Sequence, residues 1–250
     1  MSFLTGLLNR GSNVNIEELV ASACKSSDML CTVSRDLSAL EKANSTITDD
    51  DATITSHDNE ERSIEKKQIE IKEWMEKIGK ELTEIRIILV GDDEKDVDEE
   101  RASKLANAAL ENNLLRSIAS VVIYLPLESS KNAAHIFANL MNRKVEGDTF
   151  AAQIISEGGY ALDALAKAYG ENDQVALACG TMLKEAARHE IINIFILRAA
   201  FFWRFLTVHV HNKDFGIAAD AFDLLRQLLT LHPHLAAKFL AENYAFFFFF

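Results

Sequence analysis

The most constraining feature of this sequence is a segment that occurs three times at a fixed spacing. The copies are AHIFANLMNR from Ala134, ALACGTMLKE from Ala176 and AADAFDLLRQ from Ala218, so each starts 42 residues after the one before. Apolar residues recur in each copy at positions i, i+3, i+6 and i+7, which lie on one face of an α-helix. A helical repeat of about 40 to 47 residues is typical of HEAT and armadillo proteins, in which stacked neighbours share a continuous core.

Three positions match across these copies, and all the residues at them are apolar. They are Phe137, Cys179 and Ala221; Leu140, Met182 and Leu224; and Met141, Leu183 and Leu225. Tyr160, Phe202 and Tyr244 follow at the same spacing, inside a second apolar helix that we expect after each copy. The alternative is chance similarity among the helices of an ordinary bundle. Three copies at one spacing favour an all-α, right-handed superhelical solenoid of the armadillo/HEAT type.

The sequence divides into three parts along its length. Apolar residues at helical spacing predict a helix over 16–42, within an N-terminal helical segment that covers 1–42. Residues 43–63 are rich in Ser, Thr, Asp and Asn without an apolar period, which predicts a flexible acidic loop. A long helix over 64–90 then opens the repeat region, 64–250, and Gly91 is placed to end that helix.

The composition argues against some classes of partner and compartment. The net charge is −12 at pH 7, whereas a protein that binds nucleic acid through its phosphates needs a basic surface. No stretch reaches the roughly 18 apolar residues that a membrane span requires. The three cysteines, Cys24, Cys31 and Cys179, follow no disulfide or zinc spacing, so we expect a reduced, cytoplasmic protein.

Motifs of catalysis and metal binding are missing from the sequence. It contains no G-x-S-x-G, no Walker A loop and no dinucleotide fingerprint. The pairs His209/His211 and His232/His234 are spaced two apart, which places them on different faces of a helix and suits chelation badly. Pro233 indicates that His232 ends one helix and that the next begins there. We therefore expect no enzyme activity, no metal and no cofactor.

Four stretches together resemble one known family. They are CGTMLKEAARHE, ALENNLLRSIASVV, FGIAADAFDLLRQLLTLHPHLAAKFLAENY and SIEKKQIEIKEWMEKIGKELTEIRIILVG. This combination is similar to the calcium-binding protein 39 family, also called Mo-twenty-five-like scaffold proteins, over about 63–248. The most specific stretch is 176–190, in which Lys184 stands where the family usually has Arg. The acidic loop looks like an insertion relative to the family.

The resemblance implies an armadillo-like scaffold without catalytic activity. Its members bind kinases of the sterile-twenty type; in animals they assemble a liver kinase with its STE-related adaptor pseudokinase, and in fungi they serve polarised growth. We therefore expect a protein kinase or pseudokinase as the partner, with this chain a monomer within a hetero-complex. The acidic runs from Asp49 and Asp92 lack the Gly and Glu of an EF-hand loop, so no calcium site is predicted.

Exposed charges on the second and third helices of each repeat are the candidate contacts to a kinase. They are Arg116, Asp163, Lys167, Lys184, Arg188, Arg204, Asp223 and Arg226. A charge on a solenoid is more often a solvated residue than a binding hot spot, because few interface residues carry much energy. Two other functions stay open at this point: a truncated product that folds partly and binds no kinase, and an α-helical enzyme without a recognisable motif.

The run Phe246–Phe250 bears on the truncation. Family members continue well beyond the matching point, and the pocket for the pseudokinase's C-terminal tail lies in that part. Phe247 and Phe248 are expected core positions, whereas five consecutive phenylalanines cover every face of a helix. Phenylalanine codons are pyrimidine-rich, so we hypothesise that the run is translated from a pyrimidine tract and that the chain is cut short at its C-terminus.

Overall fold

The computed structural model describes residues 15–45, 54–91, 97–145 and 148–245. Within these residues the chain forms twelve α-helices, two short 3-10 turns over Val122–Tyr124 and His209–His211, and one small hairpin. The helices are α1 Ile16–Ser45, α2 Ile54–Val90, α3 Glu99–Glu111, α4 Leu114–Val121, α5 Leu127–Met141, α6 Phe150–Ser156, α7 Tyr160–Glu171, α8 Asp173–Ala187, α9 Glu190–Arg198, α10 Ala200–Thr207, α11 Phe215–Thr230 and α12 Pro233–Glu242. The hairpin pairs β1 Lys144–Val145 with β2 Asp148–Thr149, antiparallel.

The helices are arranged as successive triplets that stack on one another. The triplets are α3–α5, α6–α8 and α9–α11, and α12 follows as the next first helix. The third helices form one row, since α2 packs on α5, α5 on α8 and α8 on α11. The second helices form another row, in which α1 packs on α4 and α4 on α7. The predicted all-α repeat solenoid is confirmed, with the hairpin as a small addition.

The predicted helices before the repeats are present, but the predicted loop between them is shorter than we expected. Helix α1 starts at Ile16 as predicted and runs to Ser45, and α2 starts at Ile54, ten residues before the predicted start. Residues 43–45 and 54–63, assigned to the acidic loop, are therefore helical. The segment contains neither Gly nor Pro, and each residue added to an existing helix brings one more hydrogen bond. Residues 46–53 lie outside the described residues.

The repeat is present, but the first spacing that we predicted is four residues, about one helical turn, too short. The residues that precede the third helices are Pro126, Asn172 and Asp214, so the first interval is 46 residues and only the second is 42. Four residues are close to one turn, so an apolar stripe matches itself after such a shift. The hairpin between α5 and α6 lengthens the first interval, whereas only two residues separate α8 from α9.

Buried apolar residues from all the triplets form one continuous core. All nine residues at the three matched positions are buried, as the apolar pattern predicted. The three aromatic residues that follow are not equivalent: Phe202 is fully buried, whereas Tyr160 is 44% exposed and Tyr244 61% exposed. Ile69, an apolar residue of α2, is also exposed. Phe247 and Phe248 lie outside the described residues.

Local signals in the sequence account for most of the helix boundaries. Asp98 caps α3 by accepting hydrogen bonds from the amides of Glu100 and Arg101, and Asn172 and Asp214 cap α8 and α11 in the same way. Gly91 follows α2 with φ 87°, the left-handed conformation expected of a helix-ending glycine. His232 and Pro233 mark the start of α12, as predicted.

Among the described helices, no single one is both long and apolar enough to cross a membrane. Helix α9 and the segment Ala200–His211 pass that test only as a pair, and they are bent by 74° at their junction.

A paired glycine turn between α6 and α7 generates a test of this packing. Gly158 and Gly159 both have positive φ, 72° and 75°. A methyl group added at Gly159 would overlap the ring of Phe195 on α9, whereas nothing lies within 4 Å of one added at Gly158. The two positions therefore share the same backbone strain and differ in the close approach of the next triplet.

We predict that Gly159→Ala lowers the free energy of unfolding by about 3 kcal/mol, from left-handed strain together with the displaced ring. Gly158→Ala, the matched control, is expected to cost about 1 kcal/mol from the strain alone. Urea unfolding of both variants checks this, and equal losses would contradict the close packing of α9 on the turn.

Candidate functional site

The eight candidate residues fall in two separate rows of the solenoid. Arg116 on α4, Asp163 and Lys167 on α7, and Arg204 on α10 belong to the second helices. Lys184 on α8, Arg188 directly after its last residue, and Asp223 and Arg226 on α11 belong to the third helices. The structure brings the four third-helix residues close to one another, because α8 and α11 are neighbours in the row.

Lys184 is the centre of an ion-pair cluster that joins two triplets. Its Nζ lies 2.5 Å from Oδ1 of Asp220 and 3.5 Å from Oδ2 of Asp223, both on α11. The Lys184 side chain is only 18% exposed and that of Asp220 only 10%. The expectation that Lys184 is an exposed contact is therefore wrong, since its charge is already satisfied by the next helix of the row. Asp223 is half-buried for the same reason.

Asp220 is the member of this cluster that the sequence reasoning missed. It approaches α8 at Gly180, where an added methyl group would overlap its carboxylate. The Tyr169 hydroxyl beneath it donates a hydrogen bond to the carbonyl oxygen of Ile217 at 2.8 Å. The one available signal was an acidic residue inside an apolar, alanine-rich stretch, AADAF, which indicates a buried carboxylate that needs a partner.

Burial and the Asp220 carboxylate change the pKa values of neighbouring side chains. Burial, and after it the charge of Asp220, raises the pKa of Tyr169 and raises the pKa of the Cys179 thiol to about 12. At the exposed edge, a hydrogen bond from Arg226 lowers the pKa of Asp223, and Gln227 and Lys184 add to this effect. Tyr169 and Cys179 thus stay protonated at neutral pH, while Asp223 stays charged.

A shallow polar groove lies along the same row, between α2, α5 and α8. Its volume is about 490 Å³. It is lined by Val90, Glu99, His135, Ala138, Asn139, Asn142, Arg143 and Glu185. Arg143 donates hydrogen bonds to Asn139 at 2.8 Å and to Glu99 at 3.0 Å. Arg188 is exposed at the end of the neighbouring helix and pairs with Glu185 at 3.0 Å. The groove offers polar contacts of both charges.

The second-helix candidates are exposed and more dispersed. The Arg116 guanidinium lies over the Tyr160 ring at 4.6 Å from its centroid, and 3.9 Å from the Glu157 carboxylate. Lys167 pairs with Glu171 at 3.9 Å on the same helix. Partial burial raises the pKa of Asp163. Exposed pairs of this kind contribute little to stability, so these side chains are available for other contacts.

Arg204 lies near a buried histidine, His209. His209 is buried in the second 3-10 turn, with its ring centroid 5.2 Å from that of Tyr169 and 4.9 Å from that of Phe205. Burial and the charge of Arg204 lower the pKa of His209. His209 is therefore a neutral core residue at pH 7.

Within the described part of the chain, no group of three or more His, Cys, Asp or Glu side chains is arranged to hold a metal ion. All three cysteines are free. The thiols of Cys24 and Cys31 donate long hydrogen bonds of 3.4 Å to the carbonyl oxygens of Asn112 and Ser120. Both cysteines are half-buried.

Comparison with known proteins decides the family. The Mo25-like family profile matches residues 32–250. The chain belongs to the Mo25-like family. This agrees with the resemblance noted in the sequence, and the match begins further upstream, within α1.

Individual relatives come from distant organisms. The human protein named calcium-binding protein 39-like is 33% identical over 181 residues, 72% of this chain and 53% of its own length. MO25-like protein 2 of Caenorhabditis elegans is 30% identical over 188 residues, 75% of this chain and 53% of its own length. The conidiophore development protein hymA of Emericella nidulans is 26% identical over 201 residues, which are 69% of this chain and 52% of its own length. The chain spans about half the length of the Mo25-like relatives it matches.

The ion-pair cluster generates a prediction about stability. We predict that Lys184→Met lowers the free energy of unfolding by about 2 to 4 kcal/mol, because it leaves the Asp220 carboxylate buried without its cation. Lys167→Met is the matched control, since its pair with Glu171 is exposed, and it should change stability by less than about 0.5 kcal/mol. Urea unfolding measures both variants, and equal effects would show that Lys184 is a solvated charge after all.

The buried histidine generates a prediction about pH. The folded-state pKa of His209 lies below its usual value of 6.5, so the unfolded chain binds the proton first as the pH falls. His209 therefore has no effect on stability above about pH 6.5 and destabilises the fold as the pH drops from there through the folded-state pKa.

We predict that His209→Phe loses less stability than the original chain between about pH 7.5 and about pH 5.5, since Phe cannot take up a proton. His211→Phe, at an exposed position in the same 3-10 turn, serves as the control and should follow the original chain. Urea unfolding at both pH values measures the loss of stability in each chain. A loss in the His209 variant equal to that of the original chain would contradict the prediction.

Proposed function

We propose that this chain is a non-catalytic scaffold that binds and activates a sterile-twenty-type protein kinase, or a pseudokinase–kinase complex, in cell polarity and morphogenesis signalling. It acts in the cytoplasm, as a single copy within the hetero-complex. The observation that carries the proposal is the row of third helices, in which α2, α5, α8 and α11 lie side by side with charged groups of both signs along them.

The row consists of four neighbouring helices. They contain 37, 15, 15 and 16 residues. Stacked helical repeats of this kind present an extended surface to a partner. Arg188 and Arg226 project from consecutive helices of the row, and the polar groove opens beside them. We therefore place the primary contact on the third helices rather than on the dispersed charges of the second helices.

The ionisation of the polar groups supports a role without catalysis. A catalytic nucleophile has its pKa lowered by a nearby cation or base. The clearest shifts in this chain go the other way, since burial raises the pKa of Cys179 and of Tyr169. Both groups lie in the core between triplets rather than along the groove. The enzyme alternative requires convergent polar groups in a pocket, and no observation on the residues that the structure describes favours it.

The biological process in the proposal comes from the family resemblance, and the name of one relative supports its morphogenetic part. The Emericella nidulans protein is named for conidiophore development, which is a morphogenetic process. Because this chain spans about half the length of its relatives, the alternative is a truncated product that folds partly and binds no kinase. The two possibilities differ in one measurable quantity, the affinity of the folded chain for a kinase domain.

The test is isothermal titration of the chain with a sterile-twenty-type kinase domain. We predict that Arg188→Glu together with Arg226→Glu weakens binding by about 10-fold or more, because charge reversal at a contact both removes and opposes an interaction. Arg198→Glu, an exposed charge on the first helix α9, should leave the affinity unchanged.

A second variant decides between the two rows. Lys167→Glu alters an exposed charge of the second helices and is expected to leave the affinity within about 2-fold. A larger loss from Lys167→Glu than from the third-helix pair would move the contact to the second row. If the folded original chain does not bind at all, the scaffold proposal fails for this length of chain.

A further inference from the structure

Helix α1 packs on the solenoid with several buried polar side chains. Ser26 and Ser34 are buried, and neither hydroxyl has a hydrogen-bond partner among the described residues. Ser22, one turn before Ser26, donates a hydrogen bond of 2.6 Å to the carboxylate of Glu81 on α2. A buried polar group without a partner keeps the cost of leaving water and gains no bond in return. The docked position of α1 therefore carries a free-energy penalty.

The Glu81 carboxylate adds a buried charge to this penalty. Its side chain is only 10% exposed, and its ion pair with Lys77 on the same helix is long, 4.0 Å between Nζ and Oε1. Its Oε2 has no hydrogen-bond partner in the part of the chain that the structure describes. The buried Asp220 carboxylate, by contrast, has the Lys184 ammonium at 2.5 Å. A buried carboxylate with a distant cation destabilises the packing that buries it, and here that packing is the contact between α1 and α2.

Helix α1 is also held from one side of the stack. It packs on α2, α3 and α4, whereas α4 lies between α1 and α7. Among its described side chains, those that belong to the buried core are Leu19, Val20, Ala23 and Leu30. In a stacked array, a unit at the end has one interface instead of two, so it opens at a lower free energy than an internal unit.

Two cysteines lie at the contact of α1 with α3 and α4. The Cys24 and Cys31 thiols donate their hydrogen bonds to carbonyl oxygens of Asn112, at the end of α3, and Ser120, on α4. Burial raises the pKa of Cys31 to about 11, so its thiol is protonated and weakly nucleophilic while α1 is docked. Separation of α1 would expose both thiols together and leave Cys179, on α8, in the core.

We infer that α1 is a detachable helix, which separates from α2, α3 and α4 as one unit and docks again while the triplets stay folded. Separation returns the Glu81 carboxylate and the serine hydroxyls to water, which offsets part of the lost apolar contact. The helix thus controls access to the pair of thiols at Cys24 and Cys31. This inference is independent of the proposed kinase binding.

Hydrogen exchange of the whole chain, followed by mass spectrometry, tests whether α1 opens by itself. Amides in the middle of α1, residues 20–33, should exchange at least about 100-fold faster than those in the middle of α8, relative to their intrinsic rates, because they open without global unfolding. Lys184→Met should speed exchange in α8 by about 20-fold or more, from its predicted loss of stability, and leave α1 unchanged. Equal protection of the two helices, or equal acceleration in both, would overturn the inference.

Labelling with iodoacetamide, in which the thiolate sulfur displaces iodide, tests the polar contact independently. Ser26→Ala removes a buried hydroxyl that has no partner among the described residues, so it should stabilise the docked position and slow labelling of Cys24 and Cys31 by about 10-fold or more. Ser38→Ala, at an exposed position on α1, is the matched control, since it brings the same gain in helix propensity. It should slow labelling by no more than about 2-fold.

Mass spectrometry of the digested chain measures the labelling at each cysteine, and circular dichroism checks that both variants remain folded. Labelling that is unchanged by Ser26→Ala would show that the thiols react while α1 is docked, and would overturn the inference. Slowing by the same factor in both serine variants would equally contradict it, because the buried hydroxyl would then have no part in the opening.

Discussion

The structure depends on apolar surface that no single triplet can bury by itself. Helices such as α6, α9 and α10 have seven, nine and eight residues, and isolated helices of that length are marginal in water. They persist because their apolar faces are shared with the triplets on either side, in one continuous core. Stacking is therefore the main source of stability, and the rows of equivalent helices are its direct geometric result.

Stacking also explains where special residues occur. Where two triplets approach most closely, a side chain is missing: Gly159 makes room for Phe195, and Gly180 makes room for Asp220. Where a carboxylate is buried at such a junction, it forms an ion pair with a basic side chain, as Asp220 does with Lys184. The polar residues between triplets thus fix how one triplet sits on the next, whereas charges such as Arg188 and Arg226 remain at the surface for a partner.

Sequence reasoning succeeded where the signal is local or periodic. The start of α1 follows from apolar periodicity, and the end of α2 at Gly91 and the start of α12 at Pro233 follow from helix breakers. Sequence reasoning was less accurate for the first interval between triplets, which it predicted as 42 residues instead of 46. The apolar stripe of a helix recurs every three or four residues, so a shift of four residues still gives a match. Sequence reasoning also assigned residues 54–63 to a loop, because a polar extension of a helix carries no apolar period.

The sequence alone determined the class of fold and the family, because both depend on patterns along the chain: apolar periodicity, a repeat and a set of specific residues. Only the tertiary structure decided which charges are exposed. Lys184 and Arg226 are both basic residues on third helices, yet one is held against Asp220 and the other is exposed. That difference arises from Gly180 and from the closeness of α8 to α11, which are 36 residues apart at this contact. Burial depends on neighbours in space, and sequence spacing does not carry that information.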